Sequence, residues 1–167
     1  MTETIHASAV RVGDRAVLIR GPSGSGKSRL AFDLLLAGRA GLIAPARLVG
    51  DDRVHVWQQE TALMARPAAA LAGLIEVRGL GIRRCDFVPE APVGLVVDLD
   101  ALDAERLPPP EALQTRIKGV LIPRIPVERG FSGLPLVVAA LTMTANSSSA
   151  DCSKEFGNHI THTIATE

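Results

Sequence analysis

The octapeptide Gly21-Pro22-Ser23-Gly24-Ser25-Gly26-Lys27-Ser28 decides the fold, because it satisfies the pattern GxxxxGK[ST]. The residues before it, Ala16-Val17-Leu18-Ile19, form a continuous apolar run that predicts a buried strand. After it, leucines and alanines recur at helical spacing as far as Gly38, which predicts a helix. A glycine-rich loop between a strand and a helix is the context in which this pattern binds phosphate.

The chemistry of this loop favours a nucleoside triphosphate such as ATP. Its glycines allow consecutive backbone N–H groups to turn toward phosphate oxygens, and the helix N-terminus adds its positive end. Lys27 is expected to reach the β- and γ-phosphates, and Ser28 to offer its hydroxyl to Mg²⁺. The competing interpretation is a glycine-rich turn that includes Lys-Ser by chance. A Lys27→Ala variant with full ATP affinity and turnover would favour that interpretation.

A P-loop enzyme also needs an acid on a neighbouring strand, and two places offer one. Asp51 and Asp52 follow Leu48-Val49-Gly50, and Asp98 follows Leu95-Val96-Val97. Asp98 is also consistent with the start of a turn. Two adjacent carboxylates repel each other, which is usually tolerated where a metal, a basic group or a shared proton compensates. Either Asp51 or Asp52 is placed to accept the proton of an attacking hydroxyl.

The remaining pattern predicts a single α/β domain with a P-loop NTPase-like fold, spanning residues 1–145. Loss of the apolar pattern after that point predicts a poorly ordered tail over residues 146–167. The proline-rich Leu107–Pro110 is expected to be a loop, and Leu134–Thr144 is compatible with a helix or a strand. Further strands are predicted at Arg53–Gln58, Leu74–Val77, Val93–Leu99 and Val120–Val127, the last of these at an edge because prolines interrupt it.

Composition excludes several classes of protein. The 167 residues contain 18 basic and 18 acidic side chains, so no overall positive field attracts nucleic acid or anionic membrane. Every apolar run is shorter than the roughly 20 residues that a membrane-spanning helix needs. The first ten residues lack the pattern of a secretory signal, and a cytoplasmic location is therefore expected.

Three segments in this order resemble the catalytic domain of the HPr kinase/phosphorylase family, bacterial enzymes that phosphorylate a serine of the phosphocarrier protein HPr. The P-loop is the first, and Leu48-Val49-Gly50-Asp51-Asp52-Arg53-Val54 is the second. The third, Leu74-Ile75-Glu76-Val77-Arg78-Gly79-Leu80-Gly81-Ile82, resembles the family signature LEIRGLGI almost residue for residue. The resemblance covers approximately residues 5–145. It implies an HPr-kinase type of P-loop domain with a mixed central sheet.

The resemblance also implies roles for individual residues. Asp51 would be the general base for phosphorylation and the general acid in the reverse reaction, and the resemblance does not firmly separate it from Asp52. Ser28 and Glu76 would hold Mg²⁺, although an ion pair of Glu76 with a neighbouring arginine is the structural alternative. His6 would be the active-site histidine and Arg106 the catalytic arginine. The segment Arg78-Gly79-Leu80-Gly81 would help to shape the nucleotide and partner site.

Departures from the family limit what the resemblance implies. Pro22 and Arg29 replace acids that usually flank the P-loop, which leaves the choice of protein partner open. The segment 127–133 only weakly resembles the family's VRPGRN, so phosphorolysis by inorganic phosphate is expected to be weak or absent. The family's longer members carry an additional N-terminal domain. The family forms hexamers, so the resemblance implies self-association.

The most direct hypothesis is transfer of the γ-phosphoryl group of ATP to a serine of HPr or an HPr-like carrier, in the regulation of carbon and nitrogen metabolism. Two alternatives stay open on the sequence. One is a P-loop kinase of a small hydroxylated metabolite. The other is a non-catalytic module that binds ATP and regulates a partner through occupancy.

Overall fold

The computed structural model describes residues 3–146, which form one mixed sheet, a separate hairpin and two helices. The helices are α1 (Lys27–Arg39) and α2 (Leu134–Thr142). The strands are β1 (Thr4–Ile5), β2 (Ser8–Val12), β3 (Arg15–Arg20), β4 (Ala46–Gly50), β5 (Val54–Gln59), β6 (Ala62–Pro67), β7 (Leu74–Val77), β8 (Gly81–Arg84), β9 (Ala91–Leu99), β10 (Gln114–Ile117) and β11 (Val120–Val127).

The sheet is parallel at the P-loop and antiparallel around it. Its strand order is β1-β5-β6-β9-β3-β2-β4, and β11 pairs with β9 over its second half and with β10 over its first. Strands β3, β9 and β11 run parallel to one another, so their carboxyl ends lie at one edge of the sheet. Strands β7 and β8 form a separate antiparallel hairpin. Ligands of α/β sheets bind at such an edge, which places the P-loop correctly for its predicted task.

Alternating side chains of the central strands divide the core between the two faces of the sheet. On one face Ile19 and Val97 pack with Leu34 of α1 and Val137 of α2. On the other face Leu18 and Val96 pack with apolar residues of β5 and β6. Because both faces are covered, the central strands are almost continuously apolar, as the sequence of β3 indicates.

Most sequence-based expectations about the elements are confirmed. The strand before the P-loop, the helix after it and the predicted strands are present, and each half of β11 has one strand partner among the described residues. The undecided segment is the helix α2, whose buried Val137 and partly buried Leu134, Val138 and Leu141 recur at helical spacing. Most of the predicted tail, residues 147–167, lies outside the described residues.

Gly38 allows α1 to pack directly on β4. A Cβ atom at this position would lie 2.7 Å from Ala46 Cβ and 2.8 Å from Ala46 N. Replacing glycine by alanine in a helix normally stabilises it by about 1 kcal/mol. We expect Gly38→Ala to lower the free energy of unfolding instead, by about 2 kcal/mol, because the helix must move away from the strand. Urea denaturation measures this, with the exposed Arg29→Ala as control; a stabilised Gly38→Ala variant would contradict the packing.

Candidate active site

The P-loop forms an open cradle between β3 and α1. Gly21, Gly24 and Gly26 have φ angles of 154°, 79° and 96°, which other residues adopt only at a cost. A Cβ atom added at Gly24 or Gly26 would meet nothing within 4 Å, so the space beside these glycines is open. Ser25 Oγ is buried and has no hydrogen-bond partner among the described residues. A buried hydroxyl of this kind is costly, and a phosphate oxygen in the cradle would satisfy it.

Lys27 lies over the loop that it is expected to serve. Its Nζ donates hydrogen bonds to Gly21 O and Pro22 O, both at 2.9 Å. Burial lowers the pKa of Lys27, and the nearby carboxylates of Asp52 and Asp51 oppose that shift. The ammonium group is thus held at the loop by carbonyl groups and by two negative charges.

Asp51 joins three separate elements. Its side chain accepts hydrogen bonds from Ser8 Oγ on β2 at 2.5 Å and from Ser28 Oγ on α1 at 2.9 Å. The backbone N–H of Glu76 on β7 donates to Asp51 Oδ2 at 3.0 Å. Asp51 is only 3% exposed, so these donors compensate for burying a carboxylate. The hairpin β7–β8 is thereby fixed beside the first turn of α1.

Asp52 has the opposite environment. Its side chain is 62% exposed, and its Oδ1 lies 3.1 Å from His6 Nε2. Its φ angle is 66°, and the N–H of Arg53 donates to Asp51 O at 2.8 Å, so Asp52 is the central residue of a γ-turn. A γ-turn with positive φ is rare and strained, and such strain concentrates at functional sites. The structure therefore separates the two adjacent acids: one is buried and fully bonded, the other is exposed beside a histidine.

The hairpin β7–β8 carries the segment that resembles the family signature. The Glu76 side chain is exposed, and no ion pair between Glu76 and Arg78 occurs among the described residues, so the structural alternative for Glu76 is wrong. Gly79 and Gly81 turn the chain with φ angles of 90° and 87°. Leu80, between them, is exposed. The hairpin thus has an exposed apolar residue at its tip.

Arg106 lies on a different segment and is not joined to these residues. It is exposed in the irregular stretch between β9 and β10, and no hydrogen bond or ion pair of its guanidinium occurs among the described residues. That stretch follows β9, whose last residue, Leu99, lies next to Gly21: a Cβ at Gly21 would be 3.1 Å from Leu99 O. Arg106 therefore belongs to a loop that starts at the P-loop.

Asp98, the second acid considered from the sequence, has neither of its predicted roles. It lies inside β9 and not at a turn. Its carboxylate accepts hydrogen bonds from Arg20 Nε at 2.7 Å and from Arg124 Nε at 2.5 Å. Burial alone would raise the pKa of Asp98, but hydrogen bonds and charges from the two arginines outweigh it and lower that pKa. Since Oδ1 accepts a hydrogen bond from Arg20 and Oδ2 accepts hydrogen bonds from Arg20 and Arg124, Asp98 is a structural anion and not a metal ligand.

The lowered pKa of Asp98 predicts how stability depends on pH. The stabilisation is present above the unfolded-state pKa of about 4 and is lost as pH falls through the lower folded-state pKa. We expect Asp98→Asn to cost about 3 kcal/mol at pH 7, because two guanidinium groups lose their shared anion. Thermal unfolding measured from pH 7 to pH 2 should show that the stability difference between Asp98→Asn and wild type becomes smaller below pH 4. A constant difference would contradict this interpretation.

Sequence reasoning missed two residues that shape this site. Ser8 is fully buried at the start of β2 and bonds Asp51, and a lone serine before the apolar Ala9-Val10 was its only signal. Arg124 bonds Asp98 and the loop after β9, and the sequence gives no sign of it because those partners are distant along the chain.

A magnesium site at the P-loop is compatible with the residues present. Among residues 3–146 no cluster of three or more histidine, cysteine, aspartate or glutamate side chains could hold a metal by itself. Mg²⁺ commonly binds few protein oxygens and takes its other ligands from phosphates and water. Asp51 accepts hydrogen bonds from Ser28 Oγ and from the backbone N–H of Glu76, and the Glu76 side chain is exposed. This oxygen-only donor set suits Mg²⁺.

Membrane-spanning helices are absent from the described part of the chain, since neither helix there is long and apolar enough.

Comparison with known proteins identifies a family and several relatives of this chain. Residues 1–160 match the family model described as the HPr serine kinase C-terminal domain. The HPr kinase/phosphorylase of Enterococcus faecalis is 35% identical, covering 96% of this chain and 54% of the relative. That of Streptococcus pneumoniae is 32% identical, covering 97% and 54%. The chain thus spans about half the length of these relatives.

A solved structure shares the fold. The HPr(Ser) kinase/phosphatase from Coxiella burnetii superimposes with a TM-score of 0.65 at 26% identity. The superposition covers 83% of this chain and 93% of that one. The predicted α/β fold of the HPr-kinase type is therefore confirmed.

Proposed function

The chain belongs to the family of the HPr serine kinase C-terminal domain, and on that premise we propose that it transfers the γ-phosphoryl group of ATP to a serine hydroxyl of HPr or an HPr-like carrier. The observation that carries the proposal is the arrangement around the P-loop. Lys27, the Ser28–Asp51 pair and the His6–Asp52 pair all lie at or beside this one loop. Such a set would provide phosphate binding, metal binding and proton transfer in one place.

Nucleotide binding would use the loop and its lysine. The backbone N–H groups and the Ser25 hydroxyl would donate hydrogen bonds to phosphate oxygens, and Lys27 would exchange its two carbonyl partners for the β- and γ-phosphates. Ser28 and Glu76 would hold Mg²⁺, which when bound neutralises charge on the phosphates. Asp51 would fix the Ser28 hydroxyl and, through the Glu76 backbone, the strand that carries the second ligand.

We propose Asp52 as the general base, whereas the family resemblance implies that role for Asp51 without firmly separating the two residues. The Asp51 carboxylate is buried and already accepts hydrogen bonds from three groups, so an incoming hydroxyl has little access to it. Asp52 is exposed at the same turn, and His6 beside it can orient the carboxylate. Arg106 would neutralise charge on the transferred phosphoryl group.

The test is incubation of the protein with Mg·[γ-³²P]ATP and purified HPr. We expect label on an HPr serine, lost when that serine is replaced by alanine and when the kinase carries Asp52→Asn. Absence of label on HPr from a protein that binds ATP would refute the proposal. In that case, label on a small molecule in a metabolite extract would identify a small-molecule kinase, and no transfer at all would identify an ATP-binding module.

Two further properties belong to the same proposal. Phosphorolysis, the attack of inorganic phosphate on phosphoserine-HPr to release pyrophosphate, is expected to be weak because segment 127–133 departs from the family pattern. Self-association is expected from the family resemblance, and a hexamer is the specific expectation. Sedimentation of a monomer only, at working concentration, would contradict the second expectation. We also propose that the protein acts in the cytoplasm, together with its proposed substrate.

A further inference from the structure

Arg124 on β11 bonds to both ends of the loop that carries Arg106. Arg124 donates from Nη1 and Nη2 to the two carboxylate oxygens of Asp103, at 2.8 and 2.9 Å. The same side chain donates to Ala112 O at 2.9 Å and to Asp98 on β9. Arg124 is only 13% exposed although it carries a charge, so its position is set by these acceptors. Both ends of residues 101–113 are thereby attached to one guanidinium group.

Those attachments act on an otherwise irregular segment. Residues 101–113 contain one short 3-10 turn near their end and no strand. The N–H of Ala101 donates to Val127 O at 2.9 Å, which fixes the start of the segment to β11. Arg106 lies between the contacts at Asp103 and Ala112, in the exposed proline-rich part. The path of the chain around Arg106 therefore depends on where Arg124 holds Asp103 and Ala112.

The same network reaches the nucleotide loop. Asp98, which binds Arg124, also binds Arg20, the last residue before Gly21. The hydrogen bond from Arg124 lowers the pKa of Asp103 and outweighs the opposing effect of burial, so Asp103 remains an anion and keeps the contact at neutral pH. One chain of ion pairs thus runs from the P-loop strand through β9 and β11 to the loop with Arg106.

We propose that Arg124 is a positioning residue that holds residues 101–113 so that the Arg106 guanidinium faces the phosphates at the P-loop. The inference rests on the proposed function, which assigns Arg106 to the transferred phosphoryl group. Arg124 itself touches neither nucleotide nor partner; it acts through Asp103 and Ala112. A merely structural ion pair would affect stability without acting through Arg106.

Asp103→Ala is the sharpest variant, because Asp103 is 53% exposed and its loss leaves the Arg20–Asp98–Arg124 pairs in the sheet intact. We expect kcat for HPr phosphorylation to fall about tenfold with the KM for ATP unchanged, since a displaced catalytic group lowers turnover. In an Arg106→Gln background the same change should have no further effect. Glu111→Ala removes an exposed acid from the same segment and is the matched control.

An equal loss of kcat in the Arg106→Gln background, or no loss with Arg106 present, would overturn the inference. A second measurement does not depend on activity. Hydrogen exchange of residues 101–113 should be faster in Asp103→Ala than in wild type or Glu111→Ala, and unchanged exchange would equally overturn it. If wild type fails to label HPr while exchange responds as expected, the proposed function fails and the anchoring by Arg124 stands.

Discussion

Asp52→Asn is expected to lower kcat for HPr phosphorylation about 1,000-fold, the range that a positioned general base contributes. Asparagine has nearly the same size and tolerates the positive φ of 66° at this turn, so the backbone should be retained. ATP and Mg²⁺ binding should remain close to wild type, because neither Lys27 nor Ser28 bonds Asp52 directly. Steady-state kinetics with separate titrations of ATP, Mg²⁺ and HPr measure these effects.

The control for Asp52→Asn is Asp14→Asn, in the exposed turn between β2 and β3 at the other end of the strand from the P-loop. Asp51→Asn is the informative comparison. Both carboxylate oxygens of Asp51 accept hydrogen bonds, and asparagine replaces one of them by an NH2 donor, so the bonds from Ser8, Ser28 and the Glu76 N–H cannot all be kept as they are. We therefore expect lower stability and weaker Mg²⁺ dependence of activity. Full activity of Asp52→Asn together with a folded but inactive Asp51→Asn would return the role of base to Asp51.

Lys27→Met is expected to reduce kcat/KM for ATP about 1,000-fold, because it removes a cation from the developing charge of the transition state. Methionine keeps most of the apolar volume of the largely buried lysine stem. The variant also loses the two hydrogen bonds to Gly21 O and Pro22 O. Saturating Mg·ATP should raise the melting temperature of wild type and raise that of Lys27→Met much less.

Lys118→Met is the matched control for Lys27→Met. Lys118 is exposed, and its nearest acid, Glu3, is 4.0 Å away, so its replacement should leave ATP binding and turnover unchanged. Equal catalytic efficiency of Lys27→Met and wild type would remove the P-loop from the proposed function.

The sequence predicts local features of this protein well. The loop at residues 21–28, its flanking strand and helix, and the placing of Asp51 and Asp52 at a strand end all depend on neighbours within a few residues. The pattern could not separate the two aspartates, because a γ-turn sends adjacent side chains into different environments. Their distinction depends on Ser8, which is 43 residues from Asp51.

The partners of Asp98, which lies one residue before the end of β9, could not be predicted for a related reason. An acid after three apolar residues is consistent with a strand end, a turn or a metal site, and the sequence does not show what lies opposite it. Its partners are 78 residues away at Arg20 and 26 residues away at Arg124. Pairing of non-neighbouring strands decided the role of this carboxylate. The proposed roles of His6 and Arg106 remain predictions until the variants are measured.

The strand order has a consequence for biosynthesis. Strand β3, which leads into the P-loop, pairs with β9, and the Arg20–Asp98 contact across that pair spans 78 residues. A ribosome therefore releases the complete P-loop well before it synthesises β9, the strand that pairs with β3 directly before the loop. Contacts of such long sequence separation slow folding, since a large loop must close before they form. During that interval the nascent chain carries the phosphate-binding motif without the framework that shapes it.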